Sequence, residues 1–176
     1  MFEEYLFDAD YFLEKAIESN VDEELAKRYF RAAIFSSFGA LEAYINFIGI
    51  SFELSKGLQP YEVALLMDKR FEFNGKEFEL TDKLEFRRLE DKLKFIIYRF
   101  LPSFEYQTEK CWNSFKIYKK LRDELMHSRN NEDERLLTDY ETSVKKGFAG
   151  ILELMNKISI AVFSKPLRKK ILELSP

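Results

Sequence analysis

The chain has 176 residues, 46% of them hydrophobic and 34% charged, and its formal net charge is −3. This length and apolar content are enough to bury a core, which excludes an intrinsically disordered chain and removes any need for a disulfide or a metal ion in folding. The balance of 28 Lys and Arg against 31 Asp and Glu excludes the globally basic profile of a protein that coats nucleic acids. We predict a single domain over residues 1–176.

The cysteine content and the lack of a long apolar segment indicate in which cellular compartment the protein is expected. Cys111 is the only cysteine, so we expect no disulfide within the chain and no zinc site built from several cysteines. The acidic N-terminal sequence differs from a signal peptide. The most apolar stretch, residues 38–52, contains Glu42 and Asn46 and falls short of the ~20 apolar residues that span a bilayer. We therefore expect a cytoplasmic protein without membrane contact.

Apolar residues recur at three- and four-residue spacings along most of the chain, which predicts helices. The predicted helices cover residues 2–19, 22–56, 61–69, 82–100, 107–128 and 136–163. Thr81 or Asp82 is the expected N-cap of the helix over 82–100. The predicted apolar face of that helix consists of Leu84, Leu89, Leu93, Ile96 and Ile97.

One segment departs from the helical spacing. Residues 71–80 alternate apolar and polar side chains on both sides of Asn74-Gly75. This dipeptide favours a type I′ turn, because both central residues of that turn need a positive φ. The sequence therefore predicts an all-α fold with a small β-hairpin insertion near 71–80, and the hairpin must lean on helices because two strands alone are marginally stable.

Residues 110–129 concentrate positive charge on an acidic protein. They contain two acidic residues and six basic ones, namely Lys110, Lys116, Lys119, Lys120, Arg122 and Arg129. His127, the only histidine of the chain, lies in the same segment. Any nucleic-acid site on this protein is therefore expected as a local patch here.

Helix geometry sorts the side chains of this segment. Lys116, Lys120, Asp123 and His127 share one helix face, and the spacing of Asp123 and His127 lets the carboxylate fix the imidazole tautomer. Arg122 lies about 140° around the helix from His127, so one rigid helix does not aim both groups at one atom. Two arrangements remain open: the long arginine bends around the helix, or two copies of the helix face each other.

These groups suit cleavage of the RNA backbone without a metal ion or cofactor. His127 can take the proton from a ribose 2′-hydroxyl or give one to the leaving 5′-oxygen. Arg122 can clamp the phosphate through two hydrogen bonds and stabilise its developing charge. The alternative is structural: a histidine near a helix end often satisfies terminal carbonyls, and a lysine-rich face is often only solvated.

The stretch Leu121–His127 resembles the R-x4–6-H signature of the HEPN superfamily, with Asp123 as the polar residue that often follows the arginine. Residues 36–46 resemble the early family helix that packs on the motif helix. The resemblance implies an antiparallel helical bundle of HEPN type, and a homodimer whose motif helices line a shared cleft. It implies that Arg122 stabilises the phosphate, His127 transfers protons and Asp123 orients them, giving a cyclic phosphate and a free 5′-hydroxyl. It further implies a toxin or antiviral role with an antitoxin or a nucleotidyltransferase as a partner chain.

Other residues carry weaker hypotheses. Glu42, with Asn46 one turn later, is interpreted either as a cleft carboxylate near Arg122 or His127 or as a structural ion pair. The candidate contacts to the RNA backbone are Lys116, Lys119, Lys120 and Arg129, and for each the alternative is a solvated surface residue. The rings of Trp112, Phe115 and Tyr118 either stack bases or, as such stripes more often do, form core.

Three functions therefore compete. The first is a metal-independent, dimeric endoribonuclease. The second is a non-catalytic HEPN-like module that binds RNA, a nucleotide or a partner protein. The third is a helical interaction protein in which the basic patch serves only for docking.

Overall fold

A computed structural model describes residues 1–19, 21–55, 57–127 and 135–174. Within these ranges the chain is mostly helical, with one two-stranded antiparallel sheet. The elements are α1 (Phe2–Glu18), α2 (Glu23–Ser55), α3 (Pro60–Leu66), β1 (Lys69–Phe73), β2 (Phe78–Leu84), α4 (Leu89–Phe100), α5 (Lys110–Met126), α6 (Leu137–Phe163) and α7 (Lys169–Leu172). The predicted helical chain with a small hairpin insertion is confirmed.

The chain groups into two compact units. The first unit consists of Met1–Leu41 and Ser103–Pro176, and the second unit consists of Glu42–Pro102. The second unit is thus an insertion in the sequence of the first. The prediction of one domain over residues 1–176 stays a prediction.

The first unit is centred on the packing of α5 against α6. A Cβ atom at Gly147 would lie 2.2 Å from the ring of Tyr118, and one at Gly150 would lie 2.6 Å from Cβ of Ser114. Both distances are far below van der Waals contact, so only glycine lets the two helices approach this closely. The Tyr118 ring also packs against Phe38 at 5.3 Å between centroids, which joins α2 to the same core.

Helix α5 buries one side through a repeat of three and four residues. The buried set is Cys111, Trp112, Phe115, Tyr118 and Leu121. The core interpretation of the aromatic stripe is confirmed, since its rings are at most 5% exposed and offer no face to a base. Burial of the Tyr118 hydroxyl raises its pKa despite a hydrogen-bond contact of 3.3 Å with Oγ of Ser37.

In the second unit the hairpin forms, but its turn and its end differ from the prediction. Phe73 pairs with Phe78, so the connection has the four residues 74–77, and of these only Gly75 has a positive φ, at 96°. The prediction of a type I′ turn at Asn74-Gly75 is therefore wrong. The Asn74 side-chain oxygen instead accepts the backbone N–H groups of Lys76 and Glu77, each at 3.0 Å, and so closes a longer turn.

The predicted start of the helix over residues 82–100 is also wrong. Residues 82–84 belong to β2, and α4 begins only at Leu89. The Thr81 hydroxyl donates across the hairpin to the carbonyl of Arg70 at 3.1 Å and caps no helix. Leu84 is 67% exposed on the strand, whereas the other predicted apolar residues of this helix are buried. Strand pairing overrides the local cap signal here.

Among the described helices, α2 alone is long and apolar enough to cross a membrane by length and composition. The qualifying segment is Glu23–Glu53; its most apolar 18-residue window has a mean hydropathy of 1.4, and 56% of that window is buried inside the protein. A core helix of a soluble protein passes the same test. The predicted lack of membrane contact stays a prediction.

Candidate functional site

The imidazole of His127 is exposed at the C-terminal end of α5. His127 is the C-cap residue, and its backbone N–H donates to the carbonyl of Asp123 at 3.0 Å. The helix end therefore uses the main chain of this residue and leaves its side chain at the surface. An exposed imidazole can meet a substrate, as the proposed proton transfer requires.

Arg122 is held at the side of the same helix by two groups, the Asp123 carboxylate and the Phe38 ring. Its Nε and Nη2 donate to Oδ1 of Asp123 at 3.0 and 2.6 Å. Its guanidinium carbon lies 4.6 Å from the centre of the Phe38 ring, which is a cation–π distance. The side chain is 21% exposed, so part of it still reaches solvent.

Asp123 is engaged with cations on both oxygens. Lys119 donates to Oδ2 at 2.6 Å, while Arg122 occupies Oδ1. Burial opposes ionisation of this carboxyl, but the hydrogen bonds and charges of Lys119 and Arg122 outweigh it and hold its pKa below the ordinary value of 3.8. The residue expected to orient His127 therefore orients Arg122 and Lys119 in this structure.

We expect Asp123→Asn to reduce stability in a pH-dependent way. Because the folded pKa of Asp123 is depressed, its stabilising effect is present above the unfolded pKa and is lost as pH falls through the folded pKa. The wild type should exceed Asp123→Asn in thermal stability at about pH 6, and the difference should shrink below about pH 4. Thermal unfolding followed by circular dichroism at both pH values checks this. A difference that grows on acidification would contradict the assignment.

The predicted phosphate contacts differ in their exposure. Lys116 and Lys120 are exposed and lie on the same side of α5 as His127. Lys120 lies 3.8 Å from Glu124, and this exposed pair constrains it weakly. Lys119 is half-buried and committed to Asp123. Arg129, the remaining candidate, lies outside the described residues.

Glu42 belongs to the second unit, where it lines a cavity with Asn46. Both side chains are exposed. The proximity of Glu42 to Arg122 or His127 stays a prediction.

One polar cluster of the first unit escaped the sequence analysis. Potential ligand atoms of Glu109, Cys111 and Glu153 lie within 4.8 Å of one another. Lys157 already binds this group, with Nζ at 2.6 Å from Glu109 and 3.4 Å from Glu153. Burial raises the pKa of the Cys111 thiol to about 11, so the neutral thiol prevails at physiological pH. The cluster is an ion-paired network, and Cys111 is buried.

Comparison with protein-family models, with curated proteins and with solved structures found no match.

Proposed function

We propose that the protein is a metal-independent endoribonuclease that acts as a homodimer of HEPN type. The observation that carries the proposal is the exposed His127 at the end of α5, on the side of the helix that also presents Lys116 and Lys120. Two cations beside an accessible imidazole are what binding and cleavage of a ribose-phosphate linkage need. The R-x4–6-H resemblance of Arg122 to His127 supports the same chemistry.

In the proposed reaction the 2′-hydroxyl attacks the neighbouring phosphorus. The neutral imidazole of His127 in one subunit removes the hydroxyl proton. A new bond from the 2′-oxygen to phosphorus forms as the bond to the 5′-oxygen breaks. The leaving oxygen takes a proton from water or from the imidazole of the second subunit, which gives a 2′,3′-cyclic phosphate and a free 5′-hydroxyl.

The proposed second subunit explains how Arg122 and His127, which lie on different sides of α5, can act on one phosphate. Arg122 points to the flank of α5, toward Phe38 and Asp123, while His127 lies on the exposed side. A second α5 placed against the first can bring the Arg122 guanidinium of one chain close to the His127 imidazole of the other. Ile117 and Met126, at 66% and 60% exposed, give this helix apolar surface for such a contact.

A second candidate is a HEPN-like module that binds RNA, a nucleotide or a partner protein without cutting. The observation in its favour is the engagement of Arg122, whose guanidinium already has a carboxylate and an aromatic ring as partners. Under either candidate, an antitoxin or a nucleotidyltransferase chain is the proposed partner and the cytoplasm the proposed location.

We expect the purified chain to cleave single-stranded RNA in the presence of EDTA and His127→Ala to reduce the rate by about 100-fold or more. Gel electrophoresis of end-labelled RNA measures the rate, and enzymatic end-labelling detects the free 5′-hydroxyl. His127 is exposed, so the variant should unfold at the same temperature as the wild type. Lys165→Ala, which removes a surface lysine distant in sequence from α5, is the control and should cleave normally. Equal rates for the wild type and His127→Ala would remove the nuclease proposal, and RNA binding without cleavage would favour the second candidate.

Mixing two inactive variants tests whether the site is shared between subunits. In a His127→Ala and Arg122→Ala heterodimer, one of the two sites keeps both wild-type groups. Random exchange of subunits should then restore about a quarter of the wild-type rate. If both groups act within one chain, the mixture stays inactive.

A further inference from the structure

The second unit contains a cavity of about 270 Å³. One wall is α2, which contributes Glu42 and Asn46 at a spacing of one helical turn. The segment after β2 contributes Phe86 and Arg87, and α4 contributes Lys92. The volume suits a ligand smaller than a typical drug molecule.

The two cations of this cavity are already neutralised by carboxylates of the protein. Lys92 is 6% exposed and forms an ion pair with Asp68, whose other oxygen accepts the backbone N–H of Arg87 at 2.8 Å. The Arg87 guanidinium pairs with Glu85 at 2.5 Å. Both cations therefore already have a carboxylate partner, and separating the nearly buried Lys92–Asp68 pair for an anionic ligand would be costly.

The wall formed by α2, with Glu42 and Asn46, differs from the rest of the lining because no described residue forms an ion pair with its polar groups. Within the part of the chain that the structure describes, neither the Glu42 carboxylate nor the Asn46 amide forms a side-chain hydrogen bond or an ion pair. Glu42 therefore supplies the one carboxylate of the lining that no described cation neutralises. Asn46 adds a carbonyl oxygen one turn away on the same wall.

The mouth of the cavity carries an exposed aromatic ring. Phe86 is 82% exposed although it lines the cavity, so its ring is open to a ligand. An aromatic face attracts organic cations, which can at the same time donate hydrogen bonds to a carboxylate and an amide oxygen. A carboxylate without a partner and an open ring thus favour the same ligand charge.

We propose that this cavity binds a small organic cation, a primary amine or a guanidinium compound. The ammonium or guanidinium group donates to Glu42 and Asn46 and faces the ring of Phe86. The Asp68–Lys92 ion pair remains intact. This proposal does not depend on RNA cleavage.

Agmatine is a suitable probe, because it carries a primary amine and a guanidinium group on a short aliphatic chain. Isothermal titration of the full chain at 0.15 M salt should detect binding of agmatine and no binding of inorganic phosphate. Glu42→Gln should weaken the affinity about tenfold or more, and Phe86→Ala about threefold. Shifts of the Phe86 and Arg87 backbone amide signals in an NMR titration should locate the ligand at this cavity.

Glu77→Gln is the matched control. This variant makes the same change in net charge as Glu42→Gln. Glu77, however, is exposed in the hairpin turn of the same unit and lies outside the cavity. Its affinity for agmatine should stay within about twofold of the wild type, since 0.15 M salt screens charges beyond about 8 Å. Equal losses in Glu42→Gln and Glu77→Gln, no agmatine binding at all, or binding of phosphate in its place would overturn the proposal.

Discussion

Gly147→Ala is expected to destabilise the first unit by about 3 kcal/mol. The new Cβ would lie 2.2 to 2.6 Å from three ring atoms of Tyr118. That ring cannot move aside easily, because it is fully buried and packs against Phe38. The two helices must separate or the ring must leave its rotamer, and either change disrupts the packing of α5 on α6. Urea unfolding followed by circular dichroism measures the change in the free energy of unfolding.

Gly39→Ala is the control for this experiment. Its Cβ would meet the Tyr5 ring at 3.6 Å, which is an ordinary contact. Alanine is also a better helix former than glycine by about 0.5–1 kcal/mol, so this variant should be as stable as the wild type or more stable. Equal stability of Gly147→Ala and Gly39→Ala would contradict the close approach of the two helices.

The second large effect is expected from Asp68→Asn, which should destabilise the second unit by about 3 kcal/mol. Asp68 has a φ of 53°, a left-handed conformation that asparagine also tolerates. An asparagine oxygen can still accept the Arg87 N–H. The substitution therefore removes mainly the charge that balances Lys92, and leaves a nearly buried ammonium without its counterion.

Glu72→Gln provides the comparison in an exposed pair of the same unit. Glu72 pairs with Lys83 at 3.2 Å and with Arg70 at 2.8 Å, and both cationic side chains are more than half exposed. Solvent screens such pairs, so the loss should stay below about 1 kcal/mol. Chemical unfolding of both variants provides the measurement. A loss for Asp68→Asn no larger than that for Glu72→Gln would show that the Lys92 charge finds another partner.

Helix ends set by local signals could be predicted from the sequence, whereas features set by contacts distant in sequence could not. The ends of α1, α2 and α6 fall within about two residues of the prediction, because apolar spacing and caps are local signals. The end of β2 was missed because Thr81 carries a helix-cap signature and yet pairs across the hairpin with Arg70. Only the partner strand could decide between these two roles.

The partner of Asp123 shows a limit of spacing arguments. Lys119 and His127 are both four residues away, so helix geometry alone allows either pair. In the folded protein Lys119 is the partner, and together with the adjacent Arg122 it occupies both carboxylate oxygens. Likewise, the spacing of Glu109 and Cys111 gives no sign of Glu153, which a separate helix brings to them.

The long helix α2 carries residues of both compact units without interruption, since Leu41 and Glu42 are consecutive residues within it. Deleting one residue near that point would rotate the following residues of the helix by about 100° about its axis. Their apolar side chains would then no longer face the core. Changes in chain length during evolution are therefore restricted there, whereas the exposed loop 74–77 can accept extra residues freely.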